Sequence, residues 1–230
     1  GYAYEYDKIR PEVVKDDDFI KYQSSRQRAY FVLEFNDLDR QVYPRRGLSY
    51  SFSSSFIFDN NVIREDVEAS KDFLNINEDA SYWRWDLSAE YYYSLSSNAV
   101  VELQLAGRAS SGRSLLDSYK IGGPFQSKDF VSGFIGLEES EFLVGDHLSL
   151  KSALRMHYND LISISPTLHF MRGIDYLHFA YDRGRLFSIL GLGIQFGLDT
   201  PIGPISFDVG YTNQTEELNL NFGVGFRHIY

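Results

Sequence analysis

Along most of this chain apolar and polar residues take turns. In WRWDLSAEYYYSLS, Trp83, Trp85, Leu87, Ala89, Tyr91, Tyr93 and Leu95 share one face; Arg84, Asp86, Ser88, Glu90 and Ser94 share the other. HLSLKSALRMHYN sets Leu148, Leu150, Leu154, Met156 and Tyr158 against His147, Ser149, Lys151, Arg155 and His157. GLSYSFSSSFIF and LGLGIQFGL repeat the device, the second with Gly191, Gly193, Gln195 and Gly197 on its non-apolar side. The chain also ends this way, with Leu218, Leu220, Phe222, Val224, Phe226, His228 and Tyr230 on one face. Asn219, Asn221, Gly223, Gly225 and Arg227 lie opposite. A period of two marks strands whose two faces meet different surroundings. It predicts about ten strands, near 1–9, 28–37, 47–58, 82–96, 98–109, 147–159, 161–172, 187–199, 204–213 and 218–230.

These strands are long for a soluble sandwich, where about five or six residues is usual. They suit tilted strands crossing a bilayer, which need roughly 9–11 residues each. The connections alternate in length as well. Ser96–Ala99, Asn159–Asp160 and Thr200–Gly203 are short, whereas 10–27, 59–81, 110–146 and 173–186 are long. If the last strand runs down into the periplasm, every short connection falls on the periplasmic side, as in outer-membrane barrels. The predicted fold is therefore all-β: a transmembrane antiparallel β-barrel of about 10–12 strands, a single domain over 1–230, with long extracellular loops and short periplasmic turns. The competing fold is a soluble β-sandwich or lipocalin-like barrel with its apolar face turned inward. Strand length, loop asymmetry and aromatics at strand ends favour the membrane barrel.

Composition narrows the partners. The 230 residues carry a net charge of −10, 16% aromatics and no cysteine. The negative charge argues against a nucleic-acid partner, since phosphate binding needs a basic surface. The lack of cysteine excludes a disulfide scaffold and a thiolate metal site. In a barrel, Arg84, Asp86, Glu90, Glu102, Gln104, Arg108, Lys151, Arg155, Gln195, Asp208 and Arg227 would line the interior, which reads as salt-bridged or wet. The closing strand, with Phe222, Val224, Phe226 and a terminal aromatic, Tyr230, resembles the C-terminal signal by which outer-membrane barrels are recognised for insertion. His228 departs mildly from that pattern.

Several stretches resemble one family in particular. LEFNDLDRQVYPRRGLSYSFSS resembles a hairpin with Tyr-Pro-x-x-Gly at its turn, here Tyr43, Pro44 and Gly47. LDTPIGPISFDVGY resembles that family's penultimate hairpin, with Pro201, Gly203 and Pro204 at the turn. IGGPFQSKDFVSGF resembles its inward-folded loop, through Gly122, Gly123, Val131, Ser132, Gly133 and Phe134. LHFMRGIDY resembles the strand that receives the loop, through Phe170, Arg172 and Gly173. The family is the bacterial surface antigen barrel, the C-terminal domain of the outer-membrane assembly factor superfamily, also found behind patatin-like phospholipase domains. The resemblance runs from about residue 28 to 230 and implies a minimal or truncated member, with the segment around 110–146 folded into the barrel. It implies transport, insertion or anchoring of protein or lipid at the outer membrane of a Gram-negative bacterium. Outer-membrane lipid, lipopolysaccharide and, during insertion, the barrel assembly machinery would be its partners. The family's loop arginine falls on Ser132 and the strand's partner acid near Met171 or Arg172, so the family's ion pair is expected to be missing at both ends.

Catalytic chemistry is not evident. No Gly-x-Ser-x-Gly, P-loop or dinucleotide fingerprint occurs. Asp146-His147 is the one adjacent acid–histidine pair, and a barrel hydrolase at the outer mouth is the less favoured alternative. His147 and His157 lie roughly 33 Å apart along a strand and cannot share a metal. The acid clusters around 16–18, 65–68 and 138–141 read as solvated loop charge. No enzyme activity, metal or cofactor is expected, and a purely structural or partner barrel stands as a further alternative. The glycines of 187–199, with Gly223 and Gly225 of 218–230, admit a homodimer through the terminal-strand seam.

Overall fold

The computed structural model describes residues 2–9, 20–40, 43–66, 81–112, 119–122, 131–137, 142–159, 161–175, 185–200 and 203–224. The chain is all-β, and no helix occurs among the described residues. In chain order the strands are β1 (Tyr2–Ile9), β2 (Ile20–Asn36), β3 (Gly47–Asp66), β4 (Tyr82–Ser94), β5 (Ala99–Ser110), β6 (Tyr119–Ile121), β7 (Val131–Ser132), β8 (Phe142–His157), β9 (Ile162–Asp175), β10 (Arg185–Thr200), β11 (Gly203–Thr212) and β12 (Leu218–Val224). They form one sheet, ordered β1-β2-β3-β4-β5-β8-β9-β10-β11-β12, with each neighbour antiparallel to the next. The strand order is simply the chain order, as hairpin connections require.

The ten expected strands correspond to the ten along this path. Differences concentrate at the ends that carry the long connections. β2 begins at Ile20 and β3 continues to Asp66, although KYQSSRQR and DNNVIRED show no alternation. Main-chain pairing from Ile20↔Asp66 to Asn36↔Ser49 holds both segments in register, with a bulge at Ser25/Gln27. Backbone hydrogen bonds do not need a two-faced side-chain pattern, so periodicity alone could not see these extensions. The long connection after β5 also contributes β6, antiparallel to β8, and the two-residue β7, parallel to β6.

Burial follows the alternation. Outward along β9 and β10 come Ile162, Ile164, Leu168, Phe170, Leu186, Leu190, Leu192, Ile194, Phe196 and Leu198, all exposed. Inward on β9 come Ser163, Ser165, Thr167, His169 and Met171, all buried. On β4, β8 and β9 as well as β10 most large apolar side chains face outward, and the buried face carries most of the charged groups alongside a smaller apolar cluster. A single sheet can bury one face only by curling around it or by covering it with another layer. Here the sheet curls. β3 and β10 are five strand steps apart, roughly 24 Å in a flat sheet. Yet the Tyr43 ring, at the foot of β3, sits where a side chain at Gly197 of β10 would have to go; a Cβ there would lie 2.8 Å from Tyr43 Oη.

The connection 37–46 lies at the same end of the sheet as the turns after β4, β8 and β10. It closes on Gly47, whose φ of +119° disfavours any residue with a Cβ, and a Cβ there would lie 2.2 Å from Asp37 O. Gly47→Ala is expected to cost about 2 kcal/mol or more of stability, through backbone strain and the steric overlap. Urea unfolding followed by tryptophan emission measures it.

Candidate functional site

The buried face of the sheet holds the groups with chemical potential, and strand register decides which of them meet. β4 pairs with β5 so that Asp86 lies opposite Arg108 and Glu90 opposite Gln104. β5 pairs with β8 so that Gln104 lies opposite Lys151 and Val100 opposite Arg155. Two polar clusters result. In the first, Asp86 accepts from Arg108 Nε, from Arg84 Nε at 3.2 Å and from Ser53 Oγ at 3.3 Å. In the second, Glu102 is 4% exposed and accepts from Arg155 Nη2, from Lys151 Nζ at 3.0 Å and from Gln104 Nε2 at 2.8 Å. Tyr92 joins this cluster by accepting from Gln104 Nε2 at 3.4 Å and donates in turn to Glu90 at 3.0 Å.

Arg155 does more than neutralise Glu102. Its guanidinium lies between two rings, 5.3 Å from the Tyr43 centroid and 5.5 Å from that of Tyr92. Its Nη1 donates to Pro44 O at 3.0 Å. The turn carrying Tyr43 and Pro44 is itself tied down. Asp39 Oδ1 accepts from the N–H of Arg45 at 2.9 Å and of Arg46 at 3.3 Å. Arg45 donates to Ser97 O at 3.0 Å, and Ser94 Oγ donates to Arg45 O at 2.8 Å. Partial burial alone would raise the Asp39 pKa; the two N–H groups and the charges of Arg40 and Arg46 outweigh it and hold the carboxyl below its ordinary value.

A second piece of chain lies against the same face farther along the sheet. Phe134, Ile135, Gly136 and Leu137 are buried against β9, β10, β11 and β12. Phe134 stacks on His169 with centroids 4.0 Å apart. Ile121, Phe134, Leu137, Val144, Met171 and Ile189 make an apolar cluster around that contact. The wall here is glycine because the backbones touch: a Cβ at Gly191 would lie 2.6 Å from Ile135 O, and one at Gly210 would lie 2.4 Å from Gly136 N. Asn219 Nδ2 donates to Gly136 O at 2.8 Å, and Asn221 Nδ2 to Leu137 O at 3.1 Å.

The expected site residues distribute as follows. Phe134 is at the centre of the inserted segment, Gly122 is buried and Gly133 is half-buried. Val131 and Ser132 form β7 in the backbone, and Gly123 lies outside the described residues. Phe170 and Arg172 do not receive the segment. Both are exposed on the outward face, because His169, Met171 and Gly173 occupy the inward positions of β9. Gly173 faces Val144 and His147 of β8, so the glycines that meet the segment are Gly191, Gly193 and Gly210 instead. Tyr43, Pro44 and Gly47 form a turn whose tip enters the interior. Gly203 and Pro204 open β11, paired with Thr200 and Asp199, while Pro201 lies outside the described residues. Phe222 is exposed at 67%, Val224 pairs with Ile205 in the backbone, and Phe226, Arg227 and Tyr230 lie outside the described residues. His169, Asn219, Asn221 and residues 135–137 did not stand out in the sequence. The two asparagines do carry a trace there, as the polar side of an otherwise apolar closing strand.

Little in this arrangement is set up for bond-making. His147 Nδ1 donates to Gly145 O at 2.9 Å, and Asp146 accepts from Ser110 Oγ at 2.8 Å, so the two are oriented by different groups. Ser149 Oγ lies 2.8 Å from His169 Nε2, but both side chains are buried and Phe134 covers the imidazole ring. No cluster of three or more histidine or acidic residues that could hold a metal occurs among the described residues. No protein-family model matches the chain, and no curated protein resembles it closely enough in sequence to count as a relative.

Two expectations follow. Arg155→Met takes the guanidinium from buried Glu102, which keeps Lys151 and Gln104, and should cost about 1.5–3 kcal/mol. Adding Glu102→Gln should recover a good part of that in the double variant, read from urea unfolding. Asp39, with its lowered pKa, binds its proton less readily folded than unfolded. Its contribution is therefore complete above the ordinary carboxylate value of 3.8 and fades as pH falls below it. Exchange protection of the Arg45 and Arg46 amides should drop in that range, and Asp39→Asn should flatten the dependence.

Proposed function

We propose that this chain is an outer-membrane β-barrel of the surface antigen type, a single domain serving transport, insertion or anchoring of protein or lipid in a Gram-negative envelope. The observation that carries the membrane half of this reading is the inverted distribution of side chains. Leu148, Leu150, Leu154, Met156, Leu190, Leu192, Ile194 and Leu220 stand exposed, while Arg84, Glu102, Arg108 and Arg155 are buried. Leaving a Leu or Phe in water forgoes about 1.5–3 kcal/mol relative to burying it. A continuous apolar face far exceeds the few hundred Å² that monomers ordinarily show to water. Lipid is the solvent that suits it. β4, β5, β8, β9 and β10 have 13, 12, 16, 14 and 16 residues, long enough to cross a bilayer at a tilt.

The interior argues against a permanently open pore. Tyr43, Tyr92 and Arg155 fill it near the short turns, and residues 134–137 fill it against β10 and β11. Passage through the interior would need rearrangement, whereas anchoring or insertion would not. Outer-membrane lipid and lipopolysaccharide are the proposed surroundings, with the barrel assembly machinery the partner during insertion. The seam of β12 is the proposed surface for a homodimer, because Leu218, Leu220 and Phe222 are its most exposed apolar groups.

The chain's two tryptophans supply a direct test. Trp83 is 46% exposed and stacks on Trp85 on the outward face. In vesicles, brominated acyl chains are expected to quench most of the tryptophan emission and aqueous iodide very little. The reverse pattern would overturn the membrane reading.

A further inference from the structure

The connection between β2 and β3 is longer than a hairpin needs, and its Tyr43 and Pro44 lie against the inward face of the sheet. Its base is held from outside, by Asp39 on the Arg45 and Arg46 amides and by Arg45 on the neighbouring turn at Ser94 and Ser97. Its tip is Tyr43, at φ 47°, followed by the buried Pro44. The tip reaches the far wall. Arg155 on β8 grips it, and Gly197 on β10 provides the space, with Ser163 of β9 alongside. We infer that Tyr43 and Pro44 form a built-in stopper that shuts the short-turn end of the interior, with Arg155 as its catch and Gly197 as its seat. The inference rests on the barrel reading and adds that the interior is gated from this end.

Three features make the stopper releasable rather than merely structural. First, the tip contributes no charge. It offers Arg155 one aromatic face and one carbonyl, which are modest contacts. Second, Arg155 keeps its other partners when the tip leaves, because Glu102 and Tyr92 belong to the wall. No buried charge is orphaned in either state, and orphaning is what ordinarily makes such a pair costly to break. Third, Tyr43 is held in the left-handed region, which disfavours a residue with a Cβ and is relaxed when the tip moves out. The opened end would admit small hydrophilic solutes to a face lined by Ser163, Ser165 and Lys151.

The chain has no cysteine, so a single introduced thiol reports cleanly. Ser165 is the inward position next above Ser163 on β9 and is 5% exposed. Ser165→Cys is reconstituted in vesicles, and its reaction with a membrane-impermeant charged maleimide is timed. With the native turn, labelling is expected to be slow. Adding Tyr43→Ala, or filling the seat with Gly197→Val, should speed it roughly tenfold, the scale of a lost ring contact and hydrogen bond. Tyr43→Phe keeps the ring and should stay slow. Bromolipid quenching of the tryptophans in the same vesicles separates the two levels. Quenching retained with unchanged labelling in both variants overturns the stopper alone. Quenching retained with Tyr43→Phe as fast as Tyr43→Ala also overturns it, since the turn's fold and not the ring contact would then be at stake. Loss of quenching in the Ser165→Cys parent overturns the barrel reading and the stopper with it.

Discussion

Every inward charge must find a partner on the same face of the sheet, and the rest of the structure depends on that constraint. A polar face turned away from water cannot leave a carboxylate or guanidinium bare, because the desolvation penalty runs to several kcal/mol per ion. Glu102 meets the requirement with Lys151 and Arg155 from β8; Asp86 meets it with Arg84 of its own strand and Arg108 from β5. A one-residue slip of β5 against β8 would turn Glu102 outward beside Leu154 and strand both β8 cations. The ion pairs thus add to what the two-faced pattern defines, since each charge needs its own partner and not merely the right face.

The same constraint explains what fills the interior. Curling a sheet around a charged face leaves space that long side chains alone do not close. The tip of 37–46 and the segment 134–137 occupy it, and each does so with neutral groups: an aromatic ring, a proline, apolar side chains and backbone carbonyls. Three of the entering carbonyls are met by donors already on the wall, Pro44 O by Arg155 and those of Gly136 and Leu137 by Asn219 and Asn221. Glycines lie under both insertions, at Gly197 below one and at Gly191, Gly193 and Gly210 below the other. The glycine content of β10 is accounted for by these close approaches, with no need for a weakened strand.

The outward face and the two insertions also separate the roles of aromatic residues. On the outside Trp83 stacks on Trp85, and Phe196 meets Phe207 at a tilt. Tyr43, Tyr92 and Phe134 pair instead with cations and a histidine inside. Outside, the rings supply apolar area; inside, they supply flat surfaces on which a guanidinium or imidazole can rest without losing a hydrogen bond.

Much of this could be read from residue order alone. Alternation at 82–96, 147–159 and 187–199 determined the existence and facing of β4, β8 and β10, because a two-faced strand must sort its side chains whatever its neighbours are. The same alternation marked Arg84, Glu102, Arg108, Lys151, Arg155 and Asp208 as inward. The motif with Gly122, Gly123, Gly133 and Phe134 resembles an inward-folded loop, and Phe134 is buried against the wall. What residue order could not decide is which inward groups meet, since that depends on register between strands. Glu102 and Arg155 are 53 residues apart and Arg155 and Pro44 are 111 apart. Phase also escaped the motif comparison on β9. Phe170 and Arg172 carried the resemblance, but the pleat turns them outward and gives His169 and Met171 to the interior. The upper reaches of β2 and β3 show no alternation in the sequence, and it is the backbone pairing that reveals them. Local pattern determined the two faces of the sheet; the curl of the sheet, a property of all its strands together, decided what those faces enclose.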